Sequence, residues 1–434
     1  MPRAMVITEF FPPLSIKEMQ RVPKFLTYLP DFGWEPLVLT LKNKVAATKN
    51  PFHPGGVPGH LRIKSSRAPV ARGLFLRRNL YPLLQISKKE PYPGISQMLK
   101  LLDCLLIPDE LAAWLPFGRV AGKRLLKKHE INLIFSIGTS HTCHLIGKSL
   151  SRHMQLPWIA DLQFPRESDF SHANARCFFR LQIDEIFRRL IIHQAQWVVV
   201  NSEKWRGYLL SKFPKLPRNR IQVITDGYDP NDYPLQQEEP TDGPFKIALL
   251  SPPSNERVVR SFVKALQKIF QKHPGWQEEF KIIWQGPVRT EEFQTVKKLG
   301  LKEQFSFMGP QPYPKMLHHL QTANILLLPT QNEMLHNITA WTTLYQYLGT
   351  GLPIMAIGEA GSLRKFVRDE KLGRDFDSTE IEAIAAALTY WFVEYKNGSL
   401  KRRQREMRQY QYYYLTQKLA RIFNHSLQHR ISFS

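Results

Sequence analysis

The sequence predicts an α/β protein with two doubly wound, Rossmann-like domains, and three observations support this fold class. Short apolar runs bounded by Gly, Pro or Asp alternate with segments of helical spacing, which is typical of parallel strands covered by helices. The alternation occurs on both sides of an aperiodic, linker-like stretch at residues 230–244, PNDYPLQQEEPTDGP. The length of 434 residues corresponds to two or three domains. We therefore expect an N-terminal domain at residues 1–232 and a C-terminal domain at 243–407.

The N-terminal half contains a regular series of predicted elements. Apolar runs predict strands at residues 4–8, 37–41, 131–137, 157–161, 197–201 and 221–224. Helical spacing predicts helices at residues 22–29, 119–128, 142–152, 178–192 and 204–212. A final apolar segment at 410–425 predicts another helix, and we expect this C-terminal region, about 408–434, to pack back on the N-terminal domain.

The C-terminal half repeats the same alternation. Strands are predicted at residues 246–250, 280–284, 304–308, 325–328 and 352–357. Helices are predicted at residues 258–270, 290–298, 314–321, 342–348 and 379–395. Thr379 is followed three residues later by Glu382, which predicts a capping box at the start of the last of these helices.

The stretch at residues 341–366, WTTLYQYLGTGLPIMAIGEAGSLRKF, predicts a ligand site. A short helix ends at Gly349 and Gly351, a buried strand follows, and Gly358 to Ser362 turn the chain toward another helix. In a doubly wound sheet, the loops at the carboxyl ends of strands and the helix N-termini behind them form the ligand crevice. The pattern therefore indicates a phosphate-bearing ligand here, although an ordinary αβ unit without a ligand fits it equally well.

The charge indicates an anionic partner without identifying it. The formal net charge is +23 and the pI is about 9.9, so the protein attracts nucleic acid, anionic lipid headgroups or anionic small molecules. Residues 36–89 contain no acidic side chain and combine lysines and arginines with apolar residues such as Leu74, Phe75 and Tyr81. This combination favours an anionic membrane interface. A solvated insertion that packs on its domain and a nucleic-acid surface are the alternatives.

Cysteine usage and hydropathy predict a cytoplasmic protein. Cys104, Cys143 and Cys177 are odd in number and far apart, which is typical of reduced thiols. The first apolar run is too short and too acidic for a signal peptide, and no long apolar stretch predicts a membrane span. Membrane contact, if present, would then be peripheral, on the inner face of the cytoplasmic membrane.

No metal and no cofactor is predicted. His141 and His144 lie three residues apart, but a zinc site needs a third ligand, and the sequence offers none nearby. The sequence also contains no P-loop, no nucleophile elbow and no GxGxxG dinucleotide fingerprint.

Several motifs in order carry a resemblance to a known family. They are VITEFFPPL, Arg21, KFLTYLPDFGWEPLVLT, LPWIADLQFPRESD, VVVNSEKWRGYL, VITDGYDPNDY, FSFMGPQPYPKMLHHLQTANILLLP and TLYQYLGTGLPIMAI. In order and spacing they resemble bacterial glycosyltransferases of the GT-B fold, the retaining group called family 4. Within that group they are similar to the branch that acts in capsule, exopolysaccharide or lipopolysaccharide assembly. The resemblance implies two doubly wound domains that face each other across a cleft.

The resemblance implies a nucleotide-diphosphate sugar held mainly by the C-terminal domain. Arg257 stands where the family has a basic residue on the donor diphosphate, a role that suits a guanidinium because it can contact two phosphate oxygens. Gln346 stands where the family usually has a glutamate that accepts from the ribose hydroxyls. Gly358, Gly361 and Ser362 would offer backbone N–H groups to phosphate.

The resemblance also implies a lipid-linked or polysaccharide acceptor held by the N-terminal domain. Gln163 stands where many members have a histidine near the reacting sugar carbon, and Asp161 is the nearest carboxylate. We take these two residues as the candidate catalytic residues.

Four segments differ from the family pattern. Residues 15–20 lack the usual glycines, DLQFPR replaces DFRDPW, residues 250–253 lack Gly-Thr, and Thr343 replaces a lysine in the donor site. These differences support an alternative in which the protein keeps the GT-B fold, has lost turnover and acts as a non-enzymatic partner. A basic nucleic-acid-binding protein is the second alternative, based on the charge and on the Tyr-rich and Arg-rich residues 401–414.

Overall fold

The computed structural model of the chain describes residues 1–9, 11, 20–42, 62–66, 107–109, 111–163, 178–233, 243–250, 256–309, 311–331, 334–402 and 406–429. Within these ranges the chain forms two compact units. Unit 1 contains the described residues up to 226 and from 409 onwards, and unit 2 contains those from 227 to 408.

Unit 1 contains one parallel sheet of seven strands. The strands are β1 (Arg3–Thr8), β2 (Glu35–Leu41), β3 (Arg62–Ser66), β4 (Leu133–Gly138), β5 (Trp158–Leu162), β6 (Trp197–Val200) and β7 (Ile221–Val223). Their order across the sheet is β3-β2-β1-β4-β5-β6-β7. The helices between them are α1 (Arg21–Tyr28), α2 (Trp114–Lys128), α3 (His141–Met154), α4 (Phe178–Gln194) and α5 (Glu203–Lys212).

The central strands of this sheet are apolar on both faces. In β1, consecutive residues from Ala4 to Ile7 are all buried, although they point alternately to opposite sides. Helices cover both faces of a doubly wound parallel sheet, so a run of this kind is buried on either side. The apolar runs in the sequence identify these strands for this reason.

Unit 2 contains a parallel sheet of six strands. The strands are β8 (Phe245–Leu250), β9 (Phe280–Gln285), β10 (Phe305–Gly309), β11 (Ile325–Thr330), β12 (Ile354–Gly358) and β13 (Gly373–Phe376). Their order is β10-β9-β8-β11-β12-β13. The helices are α6 (Glu256–Lys272), α7 (Thr290–Lys298), α8 (Tyr313–Gln321), α9 (Met334–Leu348), α10 (Ser362–Asp369) and α11 (Ile381–Lys396).

The last helix, α12 (Tyr412–Gln428), packs in unit 1 although it follows unit 2 in the chain. The Phe423 ring lies 5.1 Å from the Trp34 ring and 5.3 Å from the Phe135 ring, centroid to centroid. Trp34 Nε1 also donates a hydrogen bond of 2.9 Å to Asn424 Oδ1. Because Leu415 and Leu419 are fully buried as well, α12 supplies one side of the core of unit 1.

The predicted fold class of two doubly wound, Rossmann-like α/β domains is confirmed. Strands β3 and β13 were not predicted, because their sequences, RIKSS and GRDF, each contain a single large apolar residue and so form no apolar run. None of the helices in the described ranges has both the length and the apolar character that crossing a bilayer requires.

The predicted capping box at the start of α11 is wrong. Thr379 Oγ1 donates to Asp377 Oδ1 at 2.8 Å instead of capping the helix, and Asp377 N donates to Glu380 Oε2 at 2.6 Å. The N-cap residue is Glu380, and Glu382 forms an ion pair with Lys268. The spacing of Thr and Glu was right for the motif, but the helix begins two residues later than predicted.

Several predictions lie outside the described residues. They concern most of the basic stretch at 36–89, the loop at 15–19, Cys104, Cys177, residues 251–255 and the centre of the predicted linker at 234–242.

Candidate functional site

Each unit has a switch point where the order of its strands reverses. In unit 1 this point lies between β1 and β4, and in unit 2 it lies between β8 and β11. At such a point, the loops that leave the carboxyl ends of the two strands diverge to opposite faces of the sheet and leave a crevice.

In unit 2, Tyr347 fixes the end of α9 beside the switch point. Its hydroxyl accepts a hydrogen bond of 2.8 Å from the backbone N–H of Leu250, the last residue of β8. The same hydroxyl donates to the carbonyl oxygen of Leu327 in β11 at 3.0 Å. Burial raises the pKa of Tyr347, so the hydroxyl keeps its proton and both bonds persist at neutral pH.

Gln346 precedes Tyr347 and has a buried side chain whose polar atoms are both unsatisfied. Its backbone carbonyl accepts a 2.7 Å hydrogen bond from the Tyr233 hydroxyl, but its carboxamide nitrogen and oxygen have no partner among the described residues. The residue is 1% exposed. A buried amide group without a hydrogen-bond partner costs about 1–3 kcal/mol, and a ligand hydroxyl would supply such a partner. Thr343, one turn earlier on α9, is also buried.

Gly358 ends β12 in a conformation that favours glycine. Its φ is +143°, and a Cβ atom there would lie 2.0 Å from the carbonyl oxygen of Thr330 in β11. The chain then reaches Gly361 and Ser362, which are exposed and begin α10 without a side-chain cap. Uncapped N–H groups at a helix N-terminus favour an anion, so this turn can receive a phosphate.

Arg257 lies in the first turn of α6, the helix that follows β8, and its side chain is exposed. β8, β11 and β12 are adjacent and parallel, so the elements that carry the predicted donor-binding residues connect to the same three neighbouring strands. The structure thus places Arg257, Thr343, Gln346 and the turn from Gly358 to Ser362 around the switch-point end of unit 2.

In unit 1, the candidate catalytic residue Asp161 is engaged in a buried ion pair. Arg21 donates to Asp161 Oδ2 from Nη2 at 2.8 Å and from Nε at 3.1 Å. Arg21 Nη1 also donates to the carbonyl of Ile224 at 2.6 Å and lies 3.5 Å from Asp226 Oδ1. Burial raises the pKa of Asp161 to about 6, while the guanidinium opposes this rise by favouring the carboxylate.

Gln163 lies two residues beyond Asp161, just after β5. Its backbone N–H donates to the carbonyl of Gly138, at the end of the neighbouring strand β4, at 3.4 Å. It is 1% exposed, and both polar atoms of its carboxamide lack partners among the described residues, as does Asp161 Oδ1. Residues two apart along an extended chain point to the same side, so these unsatisfied groups belong to one end of β5.

Glu9, which sequence reasoning missed as a site residue, occupies the switch point of unit 1. It directly follows β1, and its Oε1 accepts hydrogen bonds from the backbone N–H groups of Thr139 at 2.6 Å and Ser140 at 3.0 Å. Ser140 is the N-cap of α3, so this carboxylate fills the position at the helix N-terminus where an external anion would otherwise bind. Burial raises the pKa of Glu9, whereas the backbone hydrogen bonds lower it. An acidic residue directly after a buried strand was the sequence signal.

The two histidines that were considered as metal ligands have separate local partners. His141 Nε2 lies 3.5 Å from Asp184 Oδ1, and His144 Nδ1 lies 2.9 Å from the hydroxyl of Ser136. Burial lowers the pKa of His144 to about 3, so its imidazole is neutral at physiological pH.

Two doubly wound units, each with polar side chains at the switch-point end of its sheet, define a two-domain protein of the doubly wound α/β class. Neither a family model nor a curated protein matches the sequence. Among solved structures, the chain is similar to Anabaena HepE in complex with UDP-glucose, with 14% identity, coverage of 98% of this chain and 100% of that chain, and a TM-score of 0.58.

Two further solved structures are similar over nearly the whole chain. One is WaaG, a glycosyltransferase involved in lipopolysaccharide biosynthesis, with 14% identity, coverage of 97% and 99%, and a TM-score of 0.57. The other is the N-terminal domain of Candida albicans trehalose-6-phosphate phosphatase, with 12% identity, coverage of 98% and 97%, and a TM-score of 0.60. At these identities the likeness shows the fold, which is GT-B, and leaves the activity to be argued from the site.

Proposed function

We propose that the protein is a glycosyltransferase that moves a sugar from a nucleotide-diphosphate donor to a lipid-linked or polysaccharide acceptor in surface glycan synthesis. The observation that carries the proposal is the carboxamide of Gln346, which is buried beside the switch point of unit 2 with neither polar atom satisfied by a described residue. Ribose hydroxyls both donate and accept, and so would satisfy both atoms.

The surrounding groups suit the diphosphate of such a donor. The N–H groups at Gly361 and Ser362 begin an uncapped helix, and Arg257 offers an exposed guanidinium from the helix after β8. In this proposal these groups stabilise the negative charge that develops on the departing diphosphate. The named ligands of HepE, UDP and UDP-glucose, support a uridine donor.

In unit 1, Gln163 and Asp161 are the proposed residues on the acceptor side. The carboxamide of Gln163 has no hydrogen-bond partner among the described residues, so its nitrogen can donate to an oxygen of the sugar or of the leaving group. Asp161 keeps one oxygen on Arg21 and has a second, unsatisfied oxygen, so its role in the proposal is to orient groups at the end of β5.

Contact with an anionic membrane surface is part of the proposal, and α2 supports it. Phe117 is 45% exposed and Val120 is 49% exposed, and residues three apart lie on one face of a helix. Arg119 and Arg124 are exposed on the same helix. A helix face of this composition suits peripheral binding to anionic lipid, where a lipid-linked acceptor would be located.

Ligand titration tests the donor site. We expect UDP or UDP-glucose to raise the thermal midpoint of the wild-type protein and to have little effect on the Gln346→Met variant, because binding to the native state raises the midpoint. Gln294→Met, at an exposed position on α7, is the matched control and should retain the response. The absence of any shift with UDP, GDP or their sugars at millimolar concentration would refute the proposed donor site.

Vesicle co-sedimentation tests the membrane part separately. Phe117→Ser combined with Val120→Ser should reduce binding to phosphatidylglycerol vesicles, whereas Ile186→Ser, an exposed apolar residue on α4, should not. Equal loss in both variants would indicate that apolar exposure in general, and not α2, drives the association.

One observation favours a second candidate, a GT-B protein that binds a nucleotide without turnover. Glu9 fills the anion position at the N-terminus of α3, and Arg21 holds Asp161, so the switch-point edge of unit 1 is occupied by the chain's own charges. Donor binding without release of UDP, in the presence or absence of acceptor extracts, would favour this candidate over the enzyme.

A further inference from the structure

A cavity of about 510 Å³ lies in unit 2 at the amino ends of β12 and β13. Its wall includes Pro353 and Ile354 at the start of β12, and Leu372 and Gly373 at the start of β13. Arg257 and the turn from Gly358 to Ser362, by contrast, follow the carboxyl ends of β8 and β12. The volume falls within the range of about 300–1,000 Å³ that is typical of small-ligand sites.

The lining of this cavity is strongly cationic. Lys371, Arg374, Lys401 and Arg402 contribute four positive charges, and Glu394 is the one carboxylate among the described residues that line it. Glu394 accepts a 2.9 Å hydrogen bond from the Ser399 hydroxyl. The excess of positive charge within one concave surface favours an anionic ligand, because walls of low dielectric focus the field into the cavity.

Arg374 is held in the cavity wall by aromatic side chains. Its guanidinium carbon lies 4.6 Å from the centre of the Tyr390 ring and 5.7 Å from that of the Trp391 ring. Stacking on an aromatic face leaves the N–H edge of a guanidinium available for a phosphate. Tyr390 is 48% exposed and Trp391 is 5% exposed, so the aromatic pair forms both the rim and the floor of the site.

Lys371 occupies a backbone position that normally favours glycine. Its φ is +50°, and its N–H donates to the carbonyl of Arg368 at 3.0 Å, which closes the end of α10. Left-handed positions of this kind after a helix are usually glycine, because a side chain there carries a conformational cost. The lysine places a positive charge on the cavity wall in spite of this conformational cost, which indicates that its side chain has a function there.

We propose that this cavity binds the phosphate group of a phosphate ester, with Lys371, Arg374 and Lys401 as the anion-binding groups. The two sources of such a group are the headgroup of an anionic phospholipid and a free phosphate ester in solution. Tyr347 and Leu348 of the cavity wall directly follow Gln346 on α9, but Lys371, Arg374 and Lys401 are not among the proposed donor-binding residues.

The test compares two variants with an equal change in charge. In Lys371→Gly combined with Lys401→Ala, the first substitution places glycine where φ is positive and the second alters an exposed side chain, so the fold is retained. Lys297→Ala combined with Lys298→Ala removes two exposed charges from α7 and is the control. Each full-length protein is titrated calorimetrically with glycerol 3-phosphate and sedimented with phosphatidylglycerol vesicles, with phosphatidylcholine vesicles as the neutral reference.

We expect the cavity variant to weaken binding to at least one probe by about tenfold or more, because it removes two charged hydrogen-bond donors to the phosphate. The α7 control should change it by less than about twofold, since distant exposed charges are screened. A loss confined to glycerol 3-phosphate identifies a soluble phosphate ester, and a loss confined to vesicles identifies the lipid headgroup. Equal binding by wild type and cavity variant to both probes, or no binding by the wild type to either, overturns the proposal.

Discussion

Replacing Gln346 by methionine should make the ligand-free protein more stable. The carboxamide is 1% exposed and lacks described partners for both polar atoms, which costs about 1–3 kcal/mol in the folded state. Methionine has a similar length and no polar group to satisfy, and its flexible side chain limits the repacking cost to less than about 1.5 kcal/mol. With central values of about 2 kcal/mol for the first term and about 0.75 kcal/mol for the second, the expected net gain in the free energy of unfolding is about 1 kcal/mol.

The gain is measurable as a shift in the unfolding transition of unit 2. For a domain of this size, 1 kcal/mol raises the midpoint by roughly 2–4 °C, which differential scanning calorimetry resolves. The exposed Gln294→Met control should change stability by less than about 0.5 kcal/mol. A lower midpoint for Gln346→Met would show that the carboxamide already has hydrogen-bond partners in the unliganded protein. That result would refute the inference that ribose is its partner.

The remaining predictions concern Arg21, Glu292 and Gly373. Arg21→Met leaves Asp161 and Asp226 without their buried cation and should destabilise unit 1 by about 3–5 kcal/mol in urea denaturation, and unchanged stability would refute the ion pair. Burial raises the pKa of Glu292 from 4.5 to about 7, so the stability of the wild-type protein should fall as pH rises from about 4.5 to 7. In chemical denaturation, Glu292→Gln should be as stable as the wild type at pH 4 and more stable by up to about 3 kcal/mol at pH 8. Gly373→Ala places a Cβ atom 1.9 Å from a backbone carbonyl oxygen of β12 and should cost about 1–3 kcal/mol or more, measured by the thermal midpoint against Gly207→Ala, an uncrowded glycine.

Glu292 stabilises the folded state most at low pH, where its carboxyl is protonated. Between the unfolded and folded pKa values the native state binds the extra proton, so unfolding releases it and becomes easier as pH rises. Above the folded pKa both states are charged, and the full desolvation penalty of the buried carboxylate remains. Glutamine can still accept from the Arg289 N–H, which Glu292 Oε2 now does at 2.9 Å, so the substitution removes the charge and keeps the cap.

Sequence pattern alone identified the strands whose residues are buried on both faces. β1, β8 and β11 are continuous apolar runs because helices cover them on either side. β3 and β13 join their sheets mainly through backbone hydrogen bonds, as in the pairing of Gly373 with Ile354, and backbone pairing leaves no apolar signature in the sequence. The edge strands β7 and β10, which carry more apolar residues, were predicted, so the strands that the apolar pattern misses are those with few apolar side chains.

The candidate site was predictable only in part. The turn from Gly358 to Ser362 was found because glycine and a following helix have a recognisable pattern. The partner of Asp161 could not be read from spacing, since Arg21 lies 140 residues earlier and reaches Asp161 only through the packing of α1 on the sheet. Long-range pairing of this kind depends on the three-dimensional arrangement, and short-range periodicity carries no information about it.

The placement of α12 has a consequence for biosynthesis. On the ribosome, the strands of unit 1 emerge early, whereas the helix that covers Trp34 and Phe135 is made only after the whole of unit 2. Until residues 412–428 have been synthesised, an apolar face of the first unit remains uncovered, so nascent or prematurely terminated chains would present a surface that chaperones recognise. Loss of the last helix should accordingly harm the beginning of the molecule more than the segment that directly precedes it.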